Sequence, residues 1–207
     1  MRGRFISLEG GEGVGKSTQL RRLAEALRSD GLDVVETREP GGSPGAEAIR
    51  TLLMEGDVDR WTAETEALLF AAARSDHVAR TIQPALDQGK WVLSDRYIDS
   101  SLAYQGAAGS VGAEKIMQLH AIGSDGLLPD LTLLLSLPQE AASEREFSRD
   151  DGKLDRFGRK DGHYHKALAE FFQKLATDNP DRFRIVDALG SELEVTDRLL
   201  AAVADMR

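Results

Sequence analysis

Cysteine is absent from the 207 residues, which excludes disulfide staples, thiolate zinc sites and cysteine nucleophiles. Long hydrophobic runs are lacking as well, since none reaches the ~18 apolar residues that cross a bilayer. Positive charge is in deficit. With 35 acidic against 26 basic residues and a net charge of −9, nonspecific nucleic-acid binding is not expected, and an anionic ligand must be held by local focusing of charge. Asparagine occurs once, as Asn179 before Pro180, so the Asn-Lys-x-Asp guanine reader of a GTPase switch is missing. Met1-Arg2-Gly3-Arg4 runs directly into an apolar stretch, so neither a secretory leader nor a membrane span is expected, and the expected location is the cytoplasm.

What is present reads as one globular domain over residues 1–207, long enough to bury about 70% of the surface of its unfolded chain. Short β-rich stretches at Phe5-Ile6-Ser7-Leu8, Asp33-Val34-Val35-Glu36-Thr37, Trp91-Val92-Leu93-Ser94, Leu131-Thr132-Leu133-Leu134-Leu135 and Phe183-Arg184-Ile185-Val186 alternate with helical patterns. Leu20, Leu23, Ala24 and Leu27 follow the spacing of one buried helix face, and residues 64–86 predict a longer helix that Pro84 bends. The expected fold is α/β: a five-stranded, mainly parallel sheet with helices on both faces and ligands at the carboxyl ends of the strands.

Directly after the first strand, Gly10-Gly11-Glu12-Gly13-Val14-Gly15-Lys16-Ser17 satisfies G-x-x-x-x-G-K-[ST] and opens into a helix, the context that a P-loop requires. Its glycines let backbone N–H groups wrap phosphate oxygens, and the helix N-terminus adds positive potential. Lys16 is placed for the β- and γ-phosphates and Ser17 for Mg²⁺. Asp95 and Arg96 end the third strand at the same sheet edge, where the carboxylate can orient Mg²⁺ or its waters and the guanidinium can grip a phosphate. Arg38 arrives from the second strand, followed by Pro40 in a turn that a cis bond would suit. Phe70 and Arg74 lie four apart on the long helix and point the same way, either toward a base or, respectively, into the core and out to solvent.

Two other patterns carry less. Gly41-Gly42-Ser43-Pro44-Gly45 matches the hydrolase pattern G-x-S-x-G, but Pro44 has no N–H to give an oxyanion. His163 and His165 near Asp161 lack a third convincing metal ligand and read as lid-flanking histidines. Residues 148–162 are rich in charge, with Leu154 and Phe157 the only apolar side chains; alone, the segment reads as a solvated, movable surface loop.

The motifs Glu9 to Thr18, Thr37-Arg38-Glu39-Pro40-Gly41-Gly42, Asp95-Arg96-Tyr97, Ala103-Tyr104-Gln105-Gly106, Pro129-Asp130-Leu131-Thr132-Leu133 and Leu154-Asp155-Arg156 together resemble the thymidylate kinase family of P-loop nucleoside monophosphate kinases, bacterial type. The resemblance implies ATP and dTMP as substrates, Mg²⁺ held through Ser17 and Asp95, a mobile lid at about residues 148–162, and a homodimer packed through the long helices. It implies an ATP site made by Gly10, Gly11, Glu12, Gly13, Val14, Gly15, Lys16, Ser17 and Thr18, with Arg145 stacking on adenine and residues 184–190 forming part of that pocket. For dTMP it implies phosphate between Arg38 and Arg96, thymine on Phe70 with Arg74 and Gln105 at its polar edge, Ser101 among the contacts, Tyr104 under the sugar and Glu12 near the 3′-hydroxyl. Lys16, Asp95, Arg96 and, from the lid, Arg149 and then Arg156 would act on the transferred phosphoryl. A kinase for another monophosphate and a noncatalytic nucleotide-dependent switch are the alternatives. If Arg149 bridges donor and acceptor phosphates, Arg149→Ala lowers kcat by about 10³-fold or more with little change in dTMP binding; a large rise in KM at unchanged kcat in steady-state assays would refute the role.

Overall fold

The computed structural model describes residues 2–138, 141, 156–158 and 162–207. Five strands, β1 (Phe5–Glu9), β2 (Val34–Arg38), β3 (Trp91–Asp95), β4 (Leu131–Ser136) and β5 (Phe183–Asp187), form one sheet in the order β2-β3-β1-β4-β5, every pair parallel. Each crossover carries helix: α1 (Lys16–Ser29) after β1; α2 (Pro44–Met54), α3 (Ala63–His77) and α4 (Gln83–Asp87) before β3; α5 (Ile98–Ser101) and α6 (Ala113–Ser124) before β4; and α7 (Gly162–Asp178) before β5. The last helix, α8 (Glu192–Ala202), returns against α1.

Alternation along β1 explains the two faces. Ile6 and Leu8 pack with Leu20, Leu23, Ala24 and Leu27 of α1 and with Val195 and Leu199 of α8, so the helix face expected from the spacing is the buried one. Phe5 points the other way, into a core with Ile82, Leu86, Val92, Tyr97 and Ile116. Ser7 and Glu9 share the parity of Phe5 and are fully buried, which requires polar company on that face. Ser7 meets Thr132 of β4 at 3.1 Å, Thr132 donates to Asp99 at 3.0 Å, and Arg182 grips Asp99 with two bonds of 2.6 and 2.8 Å. This network ties β1, β4, α5 and the approach to β5.

The long helix expected over residues 64–86 is built in three parts. α3 passes into a π-helical turn, Val78–Ile82, and then into α4, whose first turn holds Pro84 where a missing N–H costs least. A second π-helical segment, Leu102–Ala108, follows α5 and carries Tyr104 and Gln105.

Asp99 is completely buried, so Asp99→Ala would leave the Arg182 guanidinium without its carboxylate. We expect a loss of about 3–5 kcal/mol in urea unfolding, whereas Arg80→Ala, which breaks an exposed pair with Asp76, changes stability by under ~1 kcal/mol.

Candidate phosphate-binding and transfer site

Register brings the chemistry to one edge. Leu8 and Arg38 both lie opposite Asp95, so the ends of β1, β2 and β3 are level and the loop after β1 opens directly over them. That edge is the floor of a cavity of about 750 Å³. Residues 12–19 line it, facing Arg38, Pro40, Phe70, Arg96, Tyr104 and Gln105.

The glycine loop is shaped by contact and by torsion. A Cβ at Gly10 would stand 2.6 Å from the Leu135 carbonyl oxygen, so no other residue fits there. Gly15, with φ 93°, turns the chain into α1, and no side chain among the described residues caps that helix start, which lines the cavity; the first N–H groups of an uncapped helix suit an anion. The Lys16 ammonium is folded back onto the carbonyls of Gly11 (2.6 Å) and Gly10 (3.2 Å). Burial, and then the neighbouring Arg96, lower it from 10.5 to about 8.

Arg96 sits at φ 69°, a left-handed conformation that a side chain of this size adopts at a cost of about 1–3 kcal/mol. Its guanidinium donates to the Gly10 carbonyl (3.0 Å), Ser100 Oγ (3.1 Å) and Glu12 Oε1 (2.6 Å), and lies over the Tyr104 ring at 5.0 Å. Tyr104 donates its hydroxyl to the same Glu12 oxygen at 3.0 Å, and burial raises its pKa well above the usual phenol value, so it remains a donor. Behind them Glu9 accepts from the Tyr97 and Ser100 backbone N–H groups; burial, with Asp99 adding, pushes its carboxyl upward. Ser17 donates its hydroxyl to Asp95. These two hard oxygen groups beside a phosphate loop suit Mg²⁺, which takes few protein ligands and keeps its waters. Among the described residues no group of three metal-binding side chains occurs.

Arg38 reaches from the end of β2 and donates to Glu47 at 3.0 Å, its side chain half exposed. The residue pair after it, Glu39-Pro40, is joined by a cis peptide bond. Phe70 and Phe157 meet edge to face at 5.9 Å, and Tyr104 meets Phe157 at the same separation, giving the cavity an aromatic side. The far end is lined by Ala188, Gly190, Ser191, Glu192 and Val195; Arg184, at the start of the segment expected there, instead turns to the Pro180 carbonyl at 3.1 Å.

Three expected residues lie elsewhere. Arg74 is buried and absent from the lining: it donates to Glu39 (2.8 Å), Ser101 Oγ (2.8 Å) and the Tyr97 carbonyl (3.4 Å), because Glu39 and His77, 3.0 Å apart, form a buried polar layer beneath the turn. Ser101 is drawn into the same layer. Arg156, expected over the transferred phosphoryl, also misses the lining; the carbonyls of Leu53, Asp57 and Val58 and the carboxylate of Glu66 take its donors at 2.8–3.1 Å. Arg145 and Arg149 lie outside the described residues, as does the side chain of His163. Ser43 of the hydrolase-like pattern caps α2 and donates to Asp76 at 2.6 Å, a structural duty.

Sequence reasoning passed over Arg50, Met54, Glu66 and Phe157. Arg50 and Met54 are one turn apart on α2 and both line the cavity, and Phe157 was visible only as an apolar residue in a charged segment.

A family model described as thymidylate kinase matches residues 8–199. The chain is 59% identical over 206 residues to a protein named thymidylate kinase from Rhizorhabdus wittichii, covering 100% of this chain and 99% of that one. A protein of the same name from Caulobacter vibrioides is 50% identical over 206 residues, covering 99% and 95%. Among solved structures, thymidylate kinase from Ehrlichia chaffeensis superposes with a TM-score of 0.79 at 28% identity, covering 98% of this chain and all of that one.

Lys16 supplies a pH-dependent signature. A base held near 8 when folded and 10.5 when unfolded lowers stability below pH 8, and that penalty fades as pH rises from 8 toward 10.5. A bound polyphosphate restores the charge, so at pH 8 Lys16 takes up about half a proton on nucleotide binding, while at pH 6.5 it takes up almost none. Calorimetry in buffers of different ionisation enthalpy reads this uptake, and Lys16→Met abolishes it.

Proposed function

Because the chain belongs to the thymidylate kinase family, we propose that it passes the γ-phosphoryl of ATP to a phosphate oxygen of dTMP, giving dTDP and ADP. The observation that carries this reading is the convergence of Lys16, Arg96 and Arg38 on one cavity whose opposite wall holds Phe70. A phosphoryl in transfer spreads charge over its oxygens, so the work of the protein is positioning and positive charge.

In this reading the N–H groups of the glycine loop and Lys16 hold the β- and γ-phosphates, and Thr18 completes the loop's grip. The dTMP phosphate lies between Arg38 and Arg96. Its approach breaks the short Arg96–Glu12 contact and frees the guanidinium face for phosphate, while Glu12 turns to the sugar 3′-hydroxyl. Thymine stacks on Phe70, Tyr104 lies under the sugar, and Gln105 reads the base edge, with Arg74 and Ser101, joined at 2.8 Å, in the polar layer behind the wall. Adenine occupies the end lined by Ala188 and Gly190, with Arg145 stacked upon it. Ser17 and Asp95 hold Mg²⁺, which when bound offsets phosphate charge.

Residues 1–207 work as one kinase domain with a lid at about 148–162, from which Arg149 supplies the remaining cation over the transferred phosphoryl. Closure of such a lid excludes water and limits wasteful hydrolysis. Arg156 supports this lid from its base rather than from over the phosphates. Exposed Leu68 on α3 and Ile122 on α6, which are 55% and 85% accessible, support a homodimer through the long helices. Among the described residues no helix is long and apolar enough to cross a membrane, which fits a cytoplasmic enzyme.

A coupled assay of ADP release with ATP, Mg²⁺ and a panel of dTMP, dUMP, dCMP and dGMP tests the reading. The expected outcome is turnover fastest with dTMP and reduced by about 10²–10³-fold in kcat/KM by Arg96→Ala; ADP release indifferent to the monophosphate would overturn it.

A further inference from the structure

Glu66 stands in the first turn of α3, and among the described residues each of its carboxylate oxygens has one partner. Oε1 accepts from the Gln105 side-chain amide at 3.0 Å, and Oε2 accepts from Arg156 at 3.0 Å. Gln105 is buried and lines the cavity beside Phe70. An amide presents a donor on one side and an acceptor on the other. Turned around, Gln105 would set its carbonyl oxygen against a carboxylate oxygen at hydrogen-bond distance, which burial makes costly. One N–H committed to Glu66 sets the sense of the amide, so that its carbonyl oxygen is the acceptor that Gln105 can offer a base.

We propose that Glu66 is the specificity-determining positioning residue of the acceptor site: held by Arg156, it fixes the sense of the Gln105 amide and thereby selects a base edge that bears a ring N–H. The inference rests on the dTMP-kinase reading. Thymine and uracil carry such an N–H at N3, whereas cytosine presents a bare acceptor nitrogen there, which would face another acceptor. Arg156 makes the device one-directional. Its guanidinium has only donors, and the carbonyls of Leu53, Asp57 and Val58 fix where it lies, so whatever replaces Glu66 must turn an acceptor toward it.

Glu66→Gln therefore has a defined consequence. The new amide gives its oxygen to Arg156, turns its NH₂ toward Gln105, and forces Gln105 to flip and offer its own NH₂ to the base. We expect the dCMP-to-dTMP ratio of kcat/KM to rise about 10- to 100-fold, mostly through KM for dTMP, with KM for ATP unchanged. A folded variant with lower dTMP turnover but an unchanged ratio assigns Glu66 a merely structural role and overturns the proposal. Calorimetric binding of dTMP and dCMP reads the same preference without turnover. Should Glu66→Gln fail to fold, Glu66→Asp keeps a carboxylate for Arg156 but falls short of Gln105, leaves that amide able to turn either way and gives a smaller rise in the ratio; no rise overturns the proposal there too. Wild-type protein in the same assay separates the two readings, because failure to use dTMP refutes the kinase assignment, whereas normal use with no change of ratio in the variants refutes only the role of Glu66.

Discussion

Lys16 and Arg96 share one oxygen. Both donate to the carbonyl of Gly10, at 3.2 and 3.0 Å, and both are buried or nearly so. Two cations sharing one oxygen repel, and burial, with that repulsion added, lowers Lys16 toward neutrality. Such a pairing persists because Glu12 and Asp95 supply negative charge beside it and because the rest of the fold fixes its parts in place. An incoming polyphosphate relieves the repulsion that the protein alone only offsets.

The sheet is what enforces this arrangement. Parallel register aligns the ends of β1, β2 and β3, so that Gly10, Asp95 and Arg38 arrive at the same height without any loop having to travel far. Arg96 then takes a left-handed backbone that sends its side chain under the glycine loop instead of away from it, with Ser100 and Glu12 fixing the guanidinium plane. Beneath, the Asp99–Arg182–Thr132 network and Glu9 keep polar groups satisfied on a sheet face that would otherwise have to be apolar. The site and the core on this side are thus one structure, continuous through α5 from Asp99 to Ser100.

A second polar layer runs along the acceptor wall. Thr37, His77, Glu39, Arg74 and Ser101 are linked in sequence by hydrogen bonds of 2.6–3.0 Å, and Gln105, Glu66 and Arg156 form a parallel chain one helical turn away from Ser101. These layers give the wall its stiffness. A guanidinium with five donors is well suited to such work, because it can bind several carbonyls and a carboxylate at once, and the same property makes its destination hard to foresee.

The sequence by itself determined the five strands, the helix face of Leu20 to Leu27, the glycine loop with Lys16 and Ser17, and the arrival of Arg38, Asp95 and Arg96 at one edge, because each follows from residues adjacent in the chain or from a repeating period. Tertiary structure alone decided where long side chains ended. Phe70 and Arg74 share a helix face, yet Phe70 lines the cavity while Arg74 is drawn into the layer under Glu39, whose place depends on a turn 35 residues away. Arg156, in a charged stretch that reads as solvated, is almost fully buried because the Leu53 carbonyl at the end of α2 and two carbonyls from the α2–α3 connection converge on it, and that convergence exists only once the chain has folded.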